Sequence, residues 1–442
     1  MKKLFIIIVL LQFLFLLRTY SQNINVDYLE YDLPNGLHVI LHQDNTTPIV
    51  AVTVMYHVGS KNENPERTGF AHFFEHLMFE GTDNIERGAY SSFVEKAGGK
   101  LNANTNTDRT FYYELLPSNQ FELGLWLESE RMMHAKVEMI GIETQRGVIK
   151  EERRQRYDNT PYGTIMEQVA LRAFKNHPYR WTTIGSMEHI QSATEMDYLN
   201  FYKTFYVPNN AVLSIAGDIN IEEAKKSIEK YFGEIPRGKN EIFRPDFNAE
   251  QPFNGEIRDT VFDNIMIPAV IQAYHIPARH EDDFYPLQLL CSILSDGESS
   301  RFSKILKDEK QLAQNVSAFA MQNEHPGLAY IFAMPLMQIK PEILEGEIEV
   351  ILQDIKDNGV LNSELEKAKN QTESDFVNGN ATIARRAENL ASYYTFYGNT
   401  ALINTELQKY MNVTVQDIQR VAKKYFTKDN RVVLYYLPNN QQ

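Results

Sequence analysis

His72-Phe73-Phe74-Glu75-His76 sets two imidazoles four positions apart, with a carboxylate directly before the second. On a helix, positions i, i+3 and i+4 share one face, so His72, Glu75 and His76 converge on one small volume. Two ring nitrogens there can hold a zinc ion, with the carboxylate beside the water that the metal activates. The bland alternative is an amphipathic core helix carrying two ordinary histidines, and the surrounding sequence has to decide between them.

Outward from the motif, Thr68 is the expected N-cap, and Phe70, Phe73, Phe74, Leu77 and Met78 supply a buried side, with the helix ending near Gly81. Upstream, Tyr31 to His42 reads as a hairpin around Asn35-Gly36, and Ile49 to Val58 as an apolar strand. The motif's order inverts His-Glu-x-x-His and is itself a zinc peptidase signature.

Hydrophobic residues at 43% and aromatics at 12% can fill cores for more than one domain in 442 residues. A net charge of −14 argues against a nucleic-acid partner. Lys2 and Lys3 precede an apolar run from Leu4 to Leu17, broken only by Gln12 and followed by Thr19 and Ser21. That pattern predicts a signal peptide over residues 1–21 and export to a periplasm or the medium, with no membrane span left after its removal. Cys291, the single cysteine, stands in an apolar helical stretch and is expected to be a buried, inert thiol. A metal site must therefore use histidine and carboxylate.

An internal repeat organises the chain. Thr194 and Asp197 open a segment that runs through Phe205 and Asn209-Asn210 into an apolar strand, and Thr414 and Asp417 open a similar one 220 positions later. The reading is an α+β fold of two homologous domains, each a mostly antiparallel sheet packed with helices, in a clam-like arrangement. The expected bounds are 22–236 for the zinc-binding domain, 237–256 for a linker rich in Pro, Asn and charge, and 257–442 for a domain lacking the motif.

These residues resemble the M16 peptidases, the family of insulin-degrading enzyme, pitrilysin and the mitochondrial processing peptidase. The resemblance rests on Gly69 through Thr82, on Gly98, Gly99, Asn102, Ala103 and Thr105, and on Tyr206 to Asp218. It implies a third zinc ligand some 75 residues beyond the motif, among Glu143, Glu151 and Glu152; Arg146, Val148 and Ile149 align Glu152 with the ligand position. It implies that Glu75 is the general base, that Asn102 and Ala103 belong to an edge strand pairing with peptide substrate, and that Gln145 replaces a glutamate supporting a zinc-bound histidine. It also implies that an Arg and a Tyr of active second domains are replaced by Lys307 and Gln314. The expectation is an exported zinc endopeptidase acting on extended or unfolded peptides within a chamber. A second M16-like chain supplying Arg and Tyr would complete a heterodimer; a homodimer, or a non-catalytic peptide-binding or scaffold subunit, is the alternative. The nine other histidines, among them His57, His177 and His325, have no ligand spacing.

Overall fold

β3 (Ile49–Tyr56) and β6 (Ala211–Gly217) are apolar almost throughout, the pattern of strands covered on both faces. The computed structural model describes residues 25–248, 250, 253 and 255–439; the expected signal peptide lies outside them. The other strands of the first sheet are β1 (Leu29–Asp32), β2 (His38–Gln43), β4 (Lys100–Thr105) and β5 (Thr110–Pro117). They lie in the order β1-β2-β6-β3-β5-β4, antiparallel except for the β2–β6 pair. The predicted hairpin is present as β1 and β2, and Gly36 takes the positive φ of 91° that its turn requires.

The second sheet repeats this plan. Its strands are β7 (Ile257–Asp263), β8 (Ala269–Ile276), β9 (Ala313–Ala320), β10 (Gly327–Pro335) and β11 (Arg431–Pro438), in the order β7-β11-β8-β10-β9 with β7–β11 parallel. The order of β2, β6, β3, β5 and β4 is thus matched strand for strand, and β3 becomes β8 on adding 220 to its residue numbers. The capping boxes Thr194/Asp197 and Thr414/Asp417 both form, so the repeat seen in sequence is a repeat of structure.

One face of each sheet is covered by helices of its own half, and the other by a helix from the opposite half. Helix Ile383–Tyr397 packs on β3 and β6, burying Ile383, Ala387, Leu390 and Ala391 against Ala51, Met55, Val212 and Ala216. In return, helix Ile165–Ala173 packs on β8 and β11, burying Val169 and Ala173 against Ala269, Ile271 and Val432. These two helices also correspond at the 220-residue offset. Cys291 is 3% exposed within helix Phe284–Ser295, and burial pushes its thiol up to about 12.

A buried polar seam joins the halves beside this exchange. Lys61, fully buried, pairs with Asp108 at 2.9 Å and with Glu324, which reaches in from between β9 and β10. Asp108 also accepts from Tyr179 Oη at 2.6 Å and from the Glu324 amide at 3.0 Å. His57 Nε2 lies 2.7 Å from Glu324, and His177 Nε2 lies 2.9 Å from His325 Nδ1. Histidines without a ligand pattern are here structural, and no local spacing could have announced it.

Two outcomes follow from this packing. Leu390→Ala, which empties a fully buried site between the halves, is expected to cost about 2–5 kcal/mol in urea unfolding, against under about 0.5 kcal/mol for exposed Leu361→Ala. Burial first, and then His325, pushes His177 down to about 4 from its ordinary 6.5. A base with a lowered folded pKa binds more protons when unfolded, so stability is lost as pH falls from about 6.5 toward about 4. Urea midpoints across that window should fall less steeply for His177→Asn; an identical slope would remove His177 from the account.

Candidate metal centre

The motif forms helix Phe70–Leu77. Phe70, Phe73, Phe74 and Leu77 are buried as expected, and the three phenyl rings pack against Tyr198, Phe201 and Tyr206, with Phe73 and Tyr198 rings 4.5 Å apart. The helix start differs from expectation. Gly69 is the cap residue at φ 94°, where a Cβ would stand 2.8 Å from the Ile184 carbonyl oxygen. The amides of Gly69 and Ala71 donate to the buried Glu63 carboxylate at 2.9 and 2.8 Å. Thr68 instead hydrogen-bonds His189 at 2.9 Å and accepts from the Ser186 amide at 3.0 Å. Burial pushes the Glu63 carboxyl up to about 8, against the pull of these amides, and its two oxygens reach two amides where a Thr hydroxyl reaches one.

Helix Met139–Arg153 runs alongside and carries Glu152 at its end, just before a π-helical turn over Arg154–Asp158. His72 Nε2, His76 Nε2 and Glu152 Oε2 form a triangle with edges of 3.3, 3.4 and 3.6 Å. Ligand atoms of a tetrahedral zinc with bonds of about 2.0–2.1 Å stand about 3.3–3.4 Å apart, so the donor set fits that ion in number, type and spacing. Glu151 and Glu143 point elsewhere, paired with Arg154 at 2.9 Å and with Arg146 respectively. Among the described residues, His72, His76 and Glu152 are the group of histidine and carboxylate side chains close enough to share an ion.

The electrostatics favour ligation. Burial, then His76, pushes His72 down to about 4, keeping the ring neutral. A hydrogen bond from His76 holds the Glu152 carboxyl below its ordinary range, and Arg156 binds its other oxygen at 2.7 Å. Glu75 is raised, chiefly by burial, with His76 and Arg109 acting against that rise. Arg156 was not anticipated from sequence; its spacing of four from Glu152 is the signal that carried it.

A cleft of about 390 Å³ opens on the triangle, and Glu75, Asn102 and Ala103 line it. Asn102 and Ala103 pair with Tyr113 and Tyr112 of β5, so β4 is an edge strand as expected. The amide nitrogen of Gln145 donates to Glu80 at 2.5 Å, and its buried oxygen has no partner among the described residues. The amide turns to Glu80 because a carboxylate is the stronger acceptor. His72 Nδ1 is likewise buried without a partner. Lys307 and Gln314 are exposed on the second half, and neither lines the cleft.

This fold is that of a family of peptidases. A sequence model described as insulinase (peptidase family M16) matches residues 38–186, and one described as the peptidase M16 inactive domain matches residues 192–372. The zinc protease PqqE of Helicobacter pylori is 30% identical over 409 residues, 92% of each chain, and the zinc protease YmxG of Bacillus subtilis is 23% identical over 414 residues, 91% of this chain and 97% of that one. The crystal structure of a protease from Helicobacter pylori is similar with a TM-score of 0.89 at 29% identity, covering 94% of this chain and all of that one. The first half of the Escherichia coli periplasmic protease PqqL shares the fold, with a TM-score of 0.74 at 20% identity over 93% and 92% of the two chains. The chain belongs to the M16 family of zinc-protease relatives.

Glu63→Ala leaves two buried amides without an acceptor. It is expected to destabilise the fold by about 1–3 kcal/mol in urea unfolding and to weaken zinc retention on dialysis. Unchanged stability and metal content would remove Glu63 from the support of the site.

Proposed function

We propose that the chain is an exported zinc endopeptidase that hydrolyses extended peptides, and that it is the metal-bearing subunit of a heterodimer. The triangle of His72, His76 and Glu152 opening on the β4 cleft carries this reading. Zinc bound there would lower the pKa of its water toward about 7 and polarise the scissile carbonyl.

The chain's own groups do the rest. Glu75 stands on the motif helix face beside the ligands and lines the cleft. Its raised pKa suits a carboxylate that takes a proton from water and passes it to the leaving amine. Edge strand β4 offers unpaired main-chain groups to an extended peptide, so backbone shape is read before side chains are. A folded substrate has no free strand to offer. Exposed Lys307 and Gln314 stand where the resemblance leads one to expect an arginine and a tyrosine, and this favours a partner that supplies them. Lysine lacks the planar fork, and glutamine lacks the phenol. Export is supported by the basic start and apolar run of residues 2–17.

Glu75→Gln should keep stoichiometric zinc and lose cleavage of an unstructured peptide by about 10²–10⁴-fold. Chelation should abolish wild-type cleavage and zinc restore it. Full turnover by Glu75→Gln would overturn the base assignment. Strong activity of the purified chain alone would replace the heterodimer with a self-sufficient enzyme, and zinc without cleavage alone or with a partner would favour the scaffold reading.

A further inference from the structure

The 220-residue offset that turns β3 into β8 carries His72, His76 and Glu152 to Ser292, Asp296 and Thr372. All three line a second cavity, of about 530 Å³, walled by residues of both halves. The counterpart of the metal cleft thus survives as a space, without imidazoles but with two arginines on its wall.

Arg279 is held there by aromatic neighbours. Its Nε donates to Tyr397 Oη at 3.1 Å, and its guanidinium lies 4.9 Å from the Phe396 ring centre and 5.2 Å from that of Tyr397. Among the described residues its side-chain hydrogen bond is the one from Nε, which leaves the two terminal nitrogens to the cavity. The acidic groups around it are engaged or at the rim. Glu406 accepts from Tyr393, Tyr397 and Tyr285 at 2.6, 3.1 and 3.4 Å, while Asp296 and Asp375 are exposed. Arg109 joins this cavity to the metal cleft: it pairs with Glu388 at 2.8 Å and donates at 3.2 Å to the carbonyl of Asn104, a residue of the cleft. The cleft's lining ends on this strand at Thr105, and the cavity's begins at Asn106.

We propose that this cavity is a subsite for a carboxylate carried by the peptide, gripped by the forked terminal nitrogens of Arg279 with Arg109 beside it. A guanidinium with two idle terminal nitrogens on a cavity wall is the group that bidentate carboxylate binding satisfies best. A peptide following β4 out of the cleft arrives at this wall. The inference rests on the peptidase reading for the nature of the carrier, and its test reads binding and not hydrolysis.

Fluorescence anisotropy on chelated wild-type protein would compare three labelled unstructured peptides: one with a glutamate and an amidated C-terminus, its glutamine twin, and the glutamine twin with a free C-terminus. At least one carboxylate form should bind roughly ten-fold tighter than the uncharged twin. Which form gains distinguishes a side chain from a chain terminus. Arg279→Gln should bring the peptides to one affinity, and Arg279→Lys should keep part of the gap, with thermal unfolding checking that both variants fold. Equal binding of all three by wild type, or a gap that persists in folded Arg279→Gln, overturns the subsite. Absence of cleavage by the zinc-loaded chain, both alone and with a partner, while the gap persists would overturn the peptidase reading and leave the subsite standing.

Discussion

Two strongly apolar sheets, each needing cover on both faces, impose the constraint on which this molecule depends. Neither half supplies both covers itself. Helices Ile165–Ala173 and Ile383–Tyr397 cross over reciprocally, so the second face of each sheet is buried only when the other half is folded. Apolar burial fixes the relative position of the halves, and the polar seam of Lys61, Asp108 and Glu324 then fixes their register. Fully buried charges are tolerated because each is met by an opposite charge or a hydrogen bond.

The site inherits that rigidity. The motif helix is wedged by an aromatic layer on one side and capped by Glu63 at its start, and the helix bearing Glu152 is tied through buried Arg146 to the Ile190 carbonyl at 3.0 Å. Two nitrogens and an oxygen reach zinc-like separations because three separate packing problems have been solved around them. Edge strand β4 ends in the cleft at Thr105, and the next residue, Asn106, lines the second cavity.

The motif, the hairpin at Asn35-Gly36, the duplicated capping boxes and the buried cysteine were legible because each is a local pattern with one physical reading. The arrival of Glu152 beside His72 and His76 needed the family resemblance, since three nearby glutamates share the same local chemistry. Glu63 was missed because cap rules look for a short polar side chain next to the helix, and this carboxylate reaches back from six residues before Gly69. The exchange of helices, the histidine pair His177/His325 and the turn of Gln145 toward Glu80 arise from contacts distant in sequence. No periodicity within a segment encodes them.

The reciprocal helix crossing also bears on how the two halves stay together. Each half grips the other through the paired helices Ile165–Ala173 and Ile383–Tyr397, an embrace made of side chains and not of chain connection. Removal of either half would strip its companion of a roof and expose a broad oily surface. The repeated plan thus yields two halves that each complete the other's cover.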